Sequence, residues 1–260
     1  MIIALLSLLV LAVLQGITFV IARRIGRYNI VDVVWSLGFV LVALVAALFG
    51  HGALDRRLLL LGLVTVWGLR LSWHLHRKTA GHGEDPRYTQ LLDRHGHAPA
   101  IALRRIFITQ GLSQWVISAP IQVSATAGPT AGFGRFVVVA GILVWLLGFT
   151  FEAVGDRQLK QFRADPANRG TVMDRGLWAW TRHPNYFGDF AVWWGLWLIA
   201  ASAWPGVLTI FAPLLMSYVL IQGTGARLLE RYMGQRPGYR EYQQRTAYFL
   251  PWPPHRARSH

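Results

Sequence analysis

Asp174-Arg175-Gly176-Leu177-Trp178-Ala179-Trp180-Thr181-Arg182-His183-Pro184-Asn185-Tyr186-Phe187-Gly188-Asp189 crowds cations, an imidazole, an amide and a carboxylate into the positions before an apolar run. Proline suits the first turn of a helix, where its missing N–H would have had no partner. The spacing therefore predicts a helix starting near Pro184, with Asn185 and Asp189 one turn apart on one face. Beyond Asp189 the chain runs through Trp193, Trp194 and Trp197 to Ala203 with no further charge. A helix that opens on polar groups and continues this way is read as entering a membrane, with its polar end placed as a ligand site at the lipid boundary.

Working outward, further apolar runs lie at 1–21, 30–50, 58–75, 106–124, 136–155 and 207–222; the opening helix itself covers 185–203. A bilayer needs about 20 residues of helix. A signal peptide is a poor reading of the first run, because no charge precedes Arg23. The run at 106–124 is the least apolar, holding Gln110, Gln114 and Pro120. Hydrophobic residues make up 53% of the 260 and mean hydropathy is +0.35, above the range of a soluble domain. The expected fold is all-α, a polytopic integral membrane protein of seven transmembrane helices in one membrane domain.

The formal charge of +14 invites a nucleic-acid partner. Placed on alternating loops, however, 22 of the 26 lysines and arginines fall on one side, against Arg56, Arg57 and Arg135 on the other. That asymmetry is the mark of cytoplasmic loops. It predicts the N-terminus outside and the C-terminus in the cytoplasm, and no nucleic-acid binding. There is no cysteine, hence no thiolate nucleophile or disulfide. No HExxH spacing accompanies the histidines of 76–105, and no metal is expected. GxGxxG, GxxxxGK[ST] and GxSxG are all missing, so any cofactor must lie between transmembrane helices.

Acids are scarce, so those in or beside apolar runs (Asp32, Glu152, Asp189) stand out; ionisable groups there mark cavities or partners. Asp32 is read two ways, as a ligand-facing carboxyl or as the ion partner of Arg70. His74, one turn beyond Arg70, is a weaker candidate proton donor. Glu152, Asp156, Lys160 and Arg163 share a helical face, which predicts that the fifth helix continues helically through 156–183. Lys160, Arg163, Arg182, His183, Arg227 and Arg231 gather at one membrane face. They suit a phosphorylated or carboxylated ligand, while Asp156, Asn185 and Asp189 suit the hydroxyls and amides of a nucleotide. The tail, 226–248, reads as one amphipathic helix ending at Pro251-Trp252-Pro253-Pro254.

Phe151-Glu152-Ala153-Val154-Gly155-Asp156-Arg157-Gln158-Leu159, the stretch from Gly176 to Asp189, and the tail from Arg227 to Pro251 resemble the C-terminal domain of the steroid 5α-reductase family. The whole chain resembles its bacterial DUF1295-type relatives. The N-terminal half adds Asp32-Val33-Val34-Trp35, Trp67-Gly68-Leu69-Arg70 and Glu84-Asp85-Pro86-Arg87-Tyr88. The resemblance implies seven helices and reduction of the 4,5 double bond of a 3-oxo-4-ene steroid by NADPH bound from the cytoplasm. It places nucleotide contacts at Asp156, Lys160, Arg163, Asn185, Asp189 and Arg227, with Arg231 where the family has histidine. The family's ketone-polarising glutamate and tyrosine imply Asp32 for the first, and Tyr88 or His74 for the second. Residues 1–124 would form the substrate side and 136–255 the cofactor half. A monomer in a bacterial inner membrane is expected, taking an apolar substrate from the lipid. Arg182-His183-Pro184-Asn185-Tyr186 is also similar to membrane isoprenylcysteine-type methyltransferases, which would imply S-adenosylmethionine. The excess of convergent cations favours NADPH.

Overall fold

The computed structural model describes residues 1–223 and 225–254. Among them every regular element is helical. Arg256 and Arg258, counted above among the cytoplasmic cations, and residue 255 lie outside the described residues. The chain forms two compact units, Met1–Arg135 with Ala200–Ala212, and Phe136–Ile199 with the chain from Pro213 on. Among the described residues five stretches are long and apolar enough to cross a bilayer: Ile2–Ile25, Ile30–Phe49, Leu54–Thr79, Gly134–Ala164 and Gly206–Met233.

The first unit is built on α1 (Ile2–Ile25), α2 (Ile30–Phe49) and α3 (Leu54–Thr79). Ile3, Ser7, Leu11, Gln15, Thr18 and Ala22 of α1 recur at three- and four-residue steps and are buried. Leu5, Leu9, Val13 and Ile17 on the opposite side are exposed. So broad an apolar exterior is unfavourable in water and costs nothing in lipid. This is an integral membrane protein. Polar links join the helices: Gln15 donates to Gln114 (2.7 Å), Gln114 donates to the Trp35 carbonyl (2.6 Å), and Ser36 donates to the Gly68 carbonyl (2.7 Å).

Two short helices follow, α4 (Pro86–His95) and α5 (Pro99–Ala102). The run expected at 106–124 is not one helix. A π turn at Leu103–Ile108 leads into α6 (Thr109–Ile117), which stops before α7 (Ala119–Ser124). Pro120 lacks the N–H that would continue the ladder. Polar side chains bond one another and the Trp115 carbonyl at the break: Gln122 donates to the Trp115 carbonyl (2.7 Å) and to the Ser118 hydroxyl (2.7 Å), and Ser118 donates to the Trp115 carbonyl (2.9 Å). Arg56 and Arg57, counted against the cytoplasmic side, are structural. Arg56, 2% exposed, donates to the carbonyls of Ala127 and Gly128 and to Thr130; Arg57 gathers those of Ala47, Gly50 and Gly52.

The second unit holds α8 (Gly134–Ala164), α9 (Leu177–Trp180), α10 (Pro184–Ala201), α11 (Phe211–Tyr218), α12 (Ala226–Met233) and α13 (Tyr239–Arg245). The helix expected to continue through 156–183 ends at Ala164. Asp165 precedes Pro166, a position biased away from helix, and the Asp165 carboxylate accepts from the Ala167 N–H instead (2.9 Å). The tail is likewise two helices rather than one, broken at Pro237 and at Gly238, whose φ of 75° is left-handed.

Helices α8 and α10 meet backbone to backbone. Gly141, Gly148 and Gly155 repeat every seven residues and face Gly195, Gly188 and Pro184. A Cβ on Gly148 would lie 2.5 Å from the Val192 nitrogen and 2.6 Å from the Gly188 oxygen. Small residues let membrane helices approach this closely. Gly148→Val is therefore expected to push the two helices apart and lower the apparent Tm in detergent by several degrees. An unchanged melting curve from circular dichroism would show that the contact is not needed.

Candidate functional site

Helix α10 begins at Pro184, and its polar first turns lie in the glycine seam with α8. Gly188 packs on the backbone of Glu152, where an added Cβ would sit 2.4 Å from the Glu152 nitrogen, and Gly155 packs on Pro184. The side chains of this end are therefore enclosed: Glu152, Asp156 and Asp189 are 3%, 6% and 9% exposed. Asn185 donates to Asp156 Oδ1 (3.2 Å). Lys160, one turn beyond Asp156, is exposed. The structure thus brings Asp156 and Asn185 into contact, with Glu152 and Asp189 on the same seam.

Arg182 and His183 are committed elsewhere, to a carboxylate that the sequence did not single out. Glu230 Oε1 accepts from Arg182 Nε (3.0 Å), from the Tyr239 hydroxyl (2.7 Å) and from His183 Nε2 (3.0 Å), while Gln243 donates to Oε2. Arg182 also donates to the Gln243 carbonyl (2.9 Å) and the Thr246 carbonyl (3.2 Å). A carboxylate only accepts, so His183 carries its proton on Nε2; burial lowers its pKa, the Glu230 bond opposing this in part, and favours the neutral ring. Glu230 locks α12 and α13 to the start of α10. Backbone pairing continues the lock: Arg182 N–H donates to the Ala247 carbonyl (3.0 Å) and Trp252 N–H to the Trp180 carbonyl (2.9 Å). The one available signal was scarcity, since Glu230 and Glu241 are the only acids after Asp189.

Beside this lock lies a cleft of about 190 Å³. Its walls include Arg163, Arg169, Arg182 and Arg236, and its ring surfaces are Phe162, Trp178, Tyr239 and Tyr242. Of the cations expected to hold a cofactor, Arg163 and Arg182 line it; Lys160, Arg227 and Arg231 do not. Arg227 donates to Gln222 Oε1 (3.1 Å) and Arg231 is exposed. Arg169 and Arg236 were counted in the sequence only as loop and tail charges.

The first unit holds a second polar constellation. Asp32 takes Arg87 as its cation (2.8 Å), not Arg70. Its other oxygen accepts from the Tyr88 hydroxyl (2.5 Å), and Gln110 donates to the Tyr88 oxygen (3.0 Å). The pairing follows from the preceding loop. Glu84 accepts from the N–H groups of Tyr28 and Asn29 at the start of α2, and Asn29 donates to the Gly83 carbonyl (2.9 Å). Asp85 then caps α4 through the Arg87 N–H (2.8 Å), with Pro86 in the first turn. The next residues, Arg87 and Tyr88, are delivered onto Asp32, while Tyr88 and Leu92 pack on Val31, Ile106 and Phe107. Burial raises the Tyr88 pKa, and the Asp32 carboxylate raises it further, so the phenol stays protonated. His74, half-buried on α3, is a partner of neither Asp32 nor Tyr88. Among the described residues no group of acids and histidines has the arrangement of a metal site.

Long apolar helices with buried acid, amide and phenol groups between them define a polytopic helical membrane protein. The profile of the family described as "Protein of unknown function (DUF1295)" matches residues 18–246. The chain belongs to that family, which is related to steroid 5α-reductase-like proteins. It is also 27% identical to an uncharacterized protein of the yeast Schizosaccharomyces pombe, over 86% of this chain and 70% of the relative. No solved structure matches it.

Proposed function

We propose that this chain is an NADPH-dependent membrane reductase that saturates the C=C bond of an α,β-unsaturated ketone, with a 3-oxo-4-ene steroid as substrate and the 5α-reduced 3-oxo steroid as product. The observation that carries the reading is the Tyr88–Asp32–Arg87 set, a buried neutral phenol held by a carboxylate that is itself held by a guanidinium. A ketone oxygen competes with Asp32 for the phenolic proton by rotation about the Cζ–Oη bond. Negative charge grows on that oxygen as the β-carbon is reduced, and a positioned donor stabilises it. Arg87 keeps Asp32 an acceptor, and Gln110 fixes the Tyr88 oxygen.

The residues of the second unit fit a dinucleotide. Asp156 and Asn185 offer acceptors and donors to ribose or amide groups, and the arginine-lined cleft suits phosphate. NADPH, when bound, supplies the hydride; proton delivery to the α-carbon completes the reduction. The positive-inside asymmetry adds the orientation: seven spans in a bacterial inner membrane, cofactor from the cytoplasm, apolar substrate from the lipid. Under the rival methyltransferase reading the cleft cations would meet no phosphate, since S-adenosylmethionine has none.

Purified protein in detergent, given NADPH and a 3-oxo-4-ene steroid, is expected to yield a product heavier by two hydrogens. A product heavier by CH₂ with S-adenosylmethionine, and none with NADPH, would replace this reading by the methyltransferase. Arg163→Glu is expected to raise the NADPH dissociation constant about 100-fold, the scale of exchanging a charge-assisted bond for a repulsion. Equal affinity of the wild type for NADH and NADPH would remove the phosphate argument.

A further inference from the structure

Pro251-Trp252-Pro253-Pro254, which ends the tail, belongs to neither polar site, yet folding ties the chain down just before and within it. The Arg182 N–H donates to the Ala247 carbonyl (3.0 Å), the Thr181 hydroxyl to the Phe249 carbonyl (2.8 Å), and the Trp252 N–H to the Trp180 carbonyl (2.9 Å). Residues 247–252 are thus strapped along the three residues that lead into α10. Phe249, 6% exposed, turns inward. Its ring meets those of Phe187 (6.3 Å) and Phe190 (5.6 Å) edge to face, on the first two turns of α10.

The neighbours of Phe249 turn outward. Trp180, Leu250 and Trp252 are 44%, 64% and 63% exposed. In an extended chain, burying one side chain sends the next to the opposite side. That accounts for Leu250 facing away from Phe249, but not for an isobutyl group and two indoles gathered at one edge by the Trp252–Trp180 bond. Large apolar side chains clustered on a surface mark an interaction site.

The depth of this edge is readable from α8. That membrane-spanning helix exposes apolar side chains from Phe136 to Val154, and its next exposed residues are Arg157 and Lys160. Its lipid-facing surface therefore ends near Val154. The adjoining Gly155 packs on Pro184, and its carbonyl accepts from Trp178 Nε1 (3.0 Å). Trp180, two residues beyond Trp178, and the strap bonded to it lie at the level where lipid gives way to water. Tryptophan collects at that level because its ring is apolar and its N–H is not.

We propose that Trp180, Leu250 and Trp252 form an interfacial anchor, which docks the C-terminal strap onto the boundary between lipid headgroups and acyl chains. The partner is the bilayer boundary rather than one kind of headgroup, since the three side chains supply apolar burial and no cation is among them. The strap also joins Arg182, which holds Glu230, so the anchor seats the Glu230 lock at the membrane surface. It does so whichever reaction the chain carries out.

The chain has no cysteine, so a single introduced thiol reports without background. Full-length protein carrying Leu250→Cys is labelled with a nitroxide and reconstituted into phosphatidylcholine vesicles. Power-saturation EPR then reads collisions with oxygen, which concentrates in lipid, and with a water-soluble nickel chelate. Leu143→Cys on the exposed side of α8 is the membrane reference, and Glu241→Cys on the exposed side of α13 the water reference. The ratio of oxygen to nickel collisions is expected to be several-fold higher at Leu250 than at Glu241, as for a site about 5–10 Å inside the boundary. Trp252→Cys should repeat the result, and it decides alone if the Leu250 variant does not insert. A label as open to nickel as the one at Glu241 overturns the proposal and leaves the patch in water. A label screened from both reagents overturns it as well, and dipolar broadening between labels would then assign the patch to a second copy of this chain.

Discussion

Tyr88→Phe is expected to lower kcat for enone reduction by about 100- to 1,000-fold, the effect of removing one donor to a developing oxyanion, with little change in KM. Phenylalanine keeps the ring that packs with Leu92 and Phe107. It removes the bond to Asp32 and leaves the Gln110 amide without its acceptor. An unsatisfied buried group costs about 1–3 kcal/mol, so the variant should still insert and elute as a single species. Because the folded phenol has a raised pKa, it stays protonated past the ordinary tyrosine value of about 10. The stability it contributes is present below that value and is lost only as pH rises through the folded one. The kcat profile should accordingly show no loss from this group up to pH ~10.

Asp32→Asn and Asp32→Ala separate catalysis from architecture in the same set. The amide retains an acceptor for Tyr88 but no charge for Arg87, so partial activity is expected in Asn and none in Ala. Loss of folded protein in both variants would mark Asp32 as the structural partner of Arg87, and Arg87→Met should then restore the yield. A fully active Tyr88→Phe protein would take the phenol out of the reaction and make His74 the donor to examine.

Asn185→Ala and Asp189→Ala are expected to abolish turnover, by at least about 100-fold each, without blocking membrane insertion. Both side chains belong to the first turns of α10, where the glycine seam encloses the polar end and Asn185 also accepts from the Tyr186 N–H (3.1 Å). Asn185→Ala removes the donor to Asp156 Oδ1, leaving a buried carboxylate with one partner fewer in the seam. Turnover is measured from NADPH absorbance and insertion from membrane fractionation. Near-wild-type rates in either variant would reduce that residue to a packing role.

Local chemistry made part of this molecule legible in the sequence. Apolar runs bounded by Gly50 or Pro184 gave the positions of the long helices, because hydropathy and helix ends are set by residues close together in the chain. Pro184 opening α10, with Asn185 and Asp189 on its first turns, is of this kind, and so are the breaks that the chemistry of Pro120, Pro166 and Pro237-Gly238 imposes. Those three prolines are visible in the sequence too, and their missing N–H groups override the helical pattern of their neighbours. Pairing was not legible. Arg70 and Arg87 look alike as partners for Asp32; only the Glu84 cap on α2, reached across 55 residues of chain, delivers Arg87 and Tyr88 to it. Glu230 reads as one acid in a basic tail until α12 folds back on Arg182 and His183. Which cations meet an acid was likewise decided by tertiary structure, since composition says nothing about which of them folding brings to within the ~4 Å of a salt bridge.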